Sequence, residues 1–170
     1  MKPKIYEKYP LWMVFVYNIV MLSVYLAGAY ILFKFNLIIG ILYLVYLIIL
    51  ESGVYREGCR YCYYYGKRCV AGKGLIAPIF VKKGNPKKFC ARKLEWKDFI
   101  LQILVVLVPI VTGAIILISD GFDFLILTAM IYPLFSWFFL NPIVYGKLAC
   151  PHCKQGKICC PALNFFTKKK

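Results

Sequence analysis

Residues 99–140 read FILQILVVLVPIVTGAIILISDGFDFLILTAMIYPLFSWFFL. Two apolar runs, Phe99 to Ile118 and Phe124 to Leu140, flank the polar turn Ser119-Asp120-Gly121-Phe122-Asp123. At about 1.5 Å of rise per residue, helices of this length match a hydrocarbon layer of about 30 Å. The stretch reads as a helical hairpin with both legs in a bilayer. Pro109 and Pro133 fall inside the legs, where membrane helices accept kinks more readily than soluble ones. Asn141-Pro142 is expected to end the second leg.

The same pattern occurs upstream. Leu11 to Phe33 is interrupted among polar side chains only by Asn18 and Ser23. The turn Lys34-Phe35-Asn36 leads into Leu37 to Leu50, which reaches spanning length through Tyr55 and leaves Glu51 near one end, expected to snorkel toward Arg56. Pro10 sits where a first helical turn tolerates a missing N–H. Trp12, Trp96 and Trp137 fall near span ends, as aromatic belts do. Composition agrees: 62% of residues are hydrophobic and 17% charged, with a mean hydropathy of +0.70. Soluble domains are about half apolar and a quarter charged.

The expected fold is therefore an all-α membrane protein with four transmembrane helices, in two helical hairpins, and a small cysteine-rich cytoplasmic module. Residues 1–10 form a cytoplasmic N-terminus and 11–55 the first transmembrane hairpin. Residues 56–98 form a basic cysteine-rich cytoplasmic loop, 99–141 the second hairpin, and 142–170 a cysteine-rich cytoplasmic tail.

Charge sets the orientation. The formal net charge is +15, which in a soluble chain would suggest a nucleic-acid footprint. Here it follows topology, and nucleic acid is not an expected partner. Every Lys and Arg except Lys34 precedes span one, separates spans two and three, or follows span four. The positive-inside bias puts those segments, and both termini, in the cytoplasm of a multi-pass inner (cytoplasmic) membrane protein. The opposite turn carries Asp120 and Asp123. Ala27-Gly28-Ala29 resembles a signal-peptidase site, but the apolar run is long for a signal and a second span follows at once.

The cytoplasmic segments hold all eight cysteines. Cys59-Arg60-Tyr61-Cys62 is followed by Cys69, and Cys150-Pro151-His152-Cys153 by Cys160, each seven residues after the second cysteine of its turn. A Cys-x2-Cys turn lets two thiolates converge on one ion, and two such turns complete a tetrahedral four-thiolate shell. A structural zinc held by Cys59, Cys62, Cys150 and Cys153 is the leading expectation. An iron–sulfur cluster using these cysteines with Cys69 or Cys160 is the alternative cofactor, although the bacterial run of three cysteines at two-residue intervals is absent. A dithiol redox pair, Cys59/Cys62 or Cys150/Cys153, is a further alternative. Reduced structural thiols or disulfides complete the set. Disulfides are disfavoured in a reducing cytoplasm except in thermophiles, toward which the Lys- and Ile-rich composition leans. His152, between two potential ligands, is expected to point away. Cys90 stands isolated, and Cys159 abuts Cys160.

Tyr61, Tyr63, Tyr64 and Tyr65 follow the second span and are expected at the membrane interface rather than stacked on bases. Ala71-Gly72-Lys73-Gly74 is only a fragment of a phosphate loop. Leu75 to Val81 is expected to lie along the interface or cover the cysteine cluster. Lys82-Lys83-Gly84-Asn85-Pro86-Lys87-Lys88 is placed to hold anionic lipid head groups, each cation contributing about 1 kcal/mol. Phe165-Phe166 with Lys168 to Lys170 makes a similar anchor. No Ser/His/Asp constellation, carboxylate pair or nucleotide fingerprint is present, so a non-enzyme is expected, with an unknown protein partner docking on the metal module.

The strings CRYCYYYGKRC (59–69) and CPHCKQ (150–155) resemble those of small, uncharacterised prokaryotic integral membrane proteins with two cytoplasmic Cys-x2-Cys clusters. The resemblance implies the four-span layout and brings no activity with it.

Overall fold

The computed structural model describes residues 3–91 and 96–160, with the backbone alone at 96–99. Among the described residues, four helices are long and apolar enough to cross a membrane: Leu11–Phe35, Leu37–Tyr61, Ile100–Ser119 and Phe124–His152. Lys2, Arg92, Lys93 and the Phe165–Lys170 anchor lie outside the described residues, as do the side chains of Trp96 and Lys97.

The first helix, α1, is Leu11–Phe35, and α2 is Leu37–Gly53. After α2 the chain continues through a π turn, Val54–Gly58, and a 3₁₀ turn, Cys59–Tyr61. Two short helices follow, α3 (Lys73–Phe80) and α4 (Lys87–Ala91). Next come α5 (Trp96–Ser119) and α6 (Phe124–Phe135). The last run does not stop at Asn141-Pro142 as the sequence suggests. It passes through a π turn (Ser136–Leu140), the single α turn α7 (Asn141–Ile143), a second π turn (Val144–Ala149) and a 3₁₀ turn (Cys150–His152) before α8, Lys154–Cys159. Pro142 removes one amide donor, and the wider π turns on either side re-route the hydrogen bonding so that the helix continues.

The chain forms two compact units. One comprises Val20–Leu50 and Glu95–Leu140. Its core is Ala29, Leu32, Tyr43, Leu47 and Val105, with a second cluster of Ile31, Ile116 and Ile126. Large side chains on the outside, among them Leu37, Ile38 and Ile118, are exposed, the arrangement a bilayer solvates. Several polar groups within the unit are paired, as hydrocarbon favours, while the buried Ser136 hydroxyl has no partner among the described residues. Tyr43 Oη donates to the Val105 carbonyl at 3.0 Å, Tyr46 Oη to the Leu101 carbonyl at 2.7 Å, and the Ser23 and Tyr132 hydroxyls meet at 2.5 Å.

The turns of this unit explain the one cation that departs from the charge pattern. Lys34 forms an ion pair with Asp123. Asp123 also caps α6, its Oδ1 accepting the Leu125 amide at 2.8 Å. Asn36 Oδ1 accepts the Ile38 amide at 2.8 Å, and Gly121, with φ of +91°, supplies the left-handed residue of the α5–α6 turn.

Gly28 lets α1 approach its neighbours: a Cβ there would lie 2.5 Å from Tyr43 Oη and 3.0 Å from the Pro109 ring. Gly53 has open space around its Cα. Gly28→Val is expected to destabilise the protein by about 1–3 kcal/mol through overpacking, while Gly53→Ala is neutral or slightly stabilising. Thermal unfolding in detergent reads both; equal effects at the two positions would contradict the packing described.

Candidate metal centre

The second unit comprises Met1–Ile19, Glu51–Leu94 and Asn141–Lys170, and it holds every described cysteine. Its two Cys-x2-Cys segments follow nearly the same backbone path. Each leaves a π turn through a residue of nearly the same backbone conformation, Gly58 at φ −107°, ψ −71° and Ala149 at φ −93°, ψ −70°. Each then makes a 3₁₀ turn whose last amide bonds back to its first residue: Cys62 N to Cys59 O at 3.3 Å, Cys153 N to Cys150 O at 3.2 Å. Cys62 and Cys153 end the turns in extended conformations. The local repeat seen in the cysteine spacing is thus a repeat of backbone as well.

Backbone amides surround the sulfurs. Gly156 N–H donates to Cys153 Sγ at 3.4 Å and Gly74 N–H to Cys69 Sγ at 3.3 Å. Burial pushes the Cys62 thiol up to about 12, opposed by the Tyr64 amide and reinforced by the Cys69, Cys153 and Cys59 sulfurs. Burial raises the Cys153 thiol too, with the Gly156 amide opposing and the Cys160 and Cys69 sulfurs adding to it. Cys150 is within electrostatic reach of Cys160 and Cys153, and Cys59 of Cys69. Cys62, Cys69 and Cys153 pack against one buried, mostly aromatic cluster of Tyr9, Met13 and Tyr64.

That cluster is what joins the two turns. The N-terminal segment runs between them as a strap: Tyr6 N donates to His152 O at 3.1 Å and Tyr9 N to Arg68 O at 3.0 Å. Tyr9 Oη donates to the Ala149 carbonyl at 2.6 Å. Tyr64 Oη donates to the Tyr6 carbonyl at 2.6 Å and accepts the Lys154 amide at 3.0 Å. Gln155, also buried, accepts the Tyr63 amide at 2.7 Å. On the outer side, Lys154 reaches Glu7 at 2.5 Å, and Lys67 and Lys154 both lie over the Tyr63 ring, 4.6 and 4.9 Å from its centre. The Lys154 ammonium holds the Glu7 carboxyl below its usual range.

Several sequence expectations change here. Tyr64 is not an interfacial side chain but is 1% exposed at the centre of the unit. Cys90 is not isolated: it forms a disulfide with Cys159, joining α4 to α8. Glu51 pairs with Lys73. His152 Nδ1–H donates to the Lys4 carbonyl at 2.5 Å, and its ring lies 5.1 Å from that of Tyr6. Sequence reading missed Tyr6, Tyr9 and Gln155 altogether. One signal for the repeat was available: Gly66-Lys67-Arg68-Cys69 and Gly156-Lys157-Ile158-Cys159 match, which aligns Cys69 with Cys159 rather than Cys160.

The donor set suits a thiolate-bound ion in its chemistry: cysteines in matched turns, amides aimed at sulfur, and cations nearby. Its closure is another matter. Among the described residues, no three Cys, His, Asp or Glu side chains are gathered tightly enough to hold an ion. Family models, curated proteins and solved structures give no match to this chain.

Tyr64→Phe removes one donor and one acceptor from a buried site, at an expected cost of about 1–3 kcal/mol. Hydrogen exchange is expected to speed up at the Lys154 and Tyr6 amides. Tyr63→Phe, altering an outer phenol, should change stability by less than about 0.5 kcal/mol. Unaltered exchange in Tyr64→Phe would show that the strap does not join the turns.

Proposed function

We propose that this chain is a multi-pass protein of the inner membrane, with both termini and the central loop in the cytoplasm. Its cysteine-bearing unit is a metal module, with structural zinc held by Cys59, Cys62, Cys150 and Cys153 and with Cys69 and Cys160 beside them. The module serves as a docking surface for a protein partner. The observation that carries this reading is the repeated turn: two Cys-x2-Cys segments of the same backbone form, from remote parts of the chain, fastened to one aromatic cluster. Four thiolates would supply a tetrahedral shell. Closing it asks the two turns to draw nearer, with the strap already limiting how far they can separate.

A second reading, thiol redox or an iron–sulfur centre, draws on the Cys90–Cys159 disulfide, which joins the central loop to the tail within the same unit. It differs from the first in what purified protein would contain.

Anaerobic purification followed by elemental analysis separates the two. The metal reading predicts about one zinc per chain, lost in both Cys59→Ser and Cys150→Ser, each of which loosens the same region to protease. Visible absorbance with iron and labile sulfide would replace zinc by a cluster. Metal-free protein whose six free cysteines are all promptly alkylated would overturn both metal assignments.

A further inference from the structure

Helix α3 has a small inner face and a large outer one. Gly74 and Ala77 are buried, and Gly74 sits so close to the Tyr64 and Lys67 carbonyls that a Cβ would collide with them. Gly66 N–H donates to the Gly74 carbonyl at 2.8 Å, and Tyr65 Oη to the Val81 carbonyl at 2.8 Å. The helix is therefore fixed on the cysteine loop by its backbone. The opposite face carries Leu75, Ile76, Ile79 and Phe80, with Ile79 79% and Phe80 67% exposed. A soluble protein would leave such a face uncovered only at a binding surface.

Two observations identify what covers it. The first is position. The Phe80 ring packs on Tyr55 at 5.4 Å, and Tyr55 lies in the last turns of the helix that runs to Tyr61, a helix of membrane-spanning length. Phe80 is therefore packed beside the end of that helix. The second is charge. Lys82, Lys83, Lys87 and Lys88 follow the helix directly and are all exposed. An apolar face bordered by cations is the pattern of a helix lying in the plane of an anionic membrane surface.

We infer that α3 lies in the bilayer surface, with Ile79 and Phe80 among the acyl chains and the lysine run on anionic lipid phosphates. This makes lipid a structural partner of the cysteine unit, since the same helix donates the Gly74 amide to Cys69 Sγ. The inference rests on the four spans and not on the metal.

The test uses the full chain with Trp12, Trp96 and Trp137 replaced by Phe and with Ile79→Trp as the only reporter, in vesicles of phosphatidylcholine with or without phosphatidylglycerol. The introduced indole is expected to emit at short wavelength, to be quenched by lipids brominated high on the acyl chain, and to resist acrylamide. A second variant, Lys82→Gln/Lys83→Gln/Lys87→Gln/Lys88→Gln, is expected to retain several-fold less phosphatidylglycerol in native mass spectrometry. Helical circular dichroism unchanged from the parent shows that the variants fold. Acrylamide quenching without bromolipid quenching would overturn the inference. So would shielding from both quenchers together with cross-linking of the site to a second copy or another protein. Loss of zinc binding in Cys59→Ser with the indole still in lipid would leave this inference standing, and metal-free parent protein would not touch it.

Discussion

Tyr64 and the N-terminal strap are the constraint on which the cysteine-bearing unit depends. A single phenol, 1% exposed, hydrogen-bonds the strap at Tyr6 and the second cysteine segment at Lys154, while Tyr9, equally buried, bonds the first segment at Arg68 and the second at Ala149. Each tyrosine thus contacts three parts of the chain. A buried ring of this size removes roughly 150–250 Å² from water, and its hydroxyl would be costly to leave unpaired in such surroundings. The network therefore specifies one arrangement of the two segments rather than merely favouring compactness. Without it the two segments would be joined by the Tyr63–Gln155 hydrogen bond and, farther along the chain, by the Cys90–Cys159 disulfide.

The turns gain their similarity from a shared origin in helix ends. Both spanning helices that lead to them widen into π turns before tightening into 3₁₀ turns, so that the first cysteine begins the tight turn and the second leaves it extended. A π turn rotates the helix face relative to a regular α-helix and so re-aims whatever follows. In the other unit, glycine at position 28 and the Lys34–Asp123 pair do comparable positioning for the hairpins, the first by close approach and the second by joining the α1–α2 turn to the α5–α6 turn. That pair is partly exposed, so its direct contribution to stability is small; its consequence is that the one cation away from the others has a counter-charge.

The helical layout was legible because apolar runs long enough for a bilayer have few other uses, and the polar turn at 119–123 falls between two of them. Helix ends were less legible. Asn141-Pro142 carries an ordinary stop signal, and only the π turns on either side let the chain continue. The cysteine spacing was visible, but what holds the two turns together was not. Tyr6 and Tyr9 lie in the charged segment Tyr6-Glu7-Lys8-Tyr9, which no periodicity marks as core. Tyr64 sits in a row of tyrosines whose neighbours are half-buried, and nothing local distinguishes it. The partner of Cys90 was out of reach for the same reason: the pairing spans 69 residues, and eight cysteines allow many connectivities. Burial of this kind is decided by tertiary packing and overrides local pattern.

The segments around Cys62 and Cys153 are held as one unit through Tyr64. Lys67 and Lys154 come from those two segments and both lie over a single Tyr63 ring. Short amine-reactive cross-linking of the intact protein in native membranes, mapped by mass spectrometry, tests this joining directly. An abundant Lys67–Lys154 link within one chain is expected. Local links such as Lys82 to Lys87 appearing without it would show that the two segments are not joined.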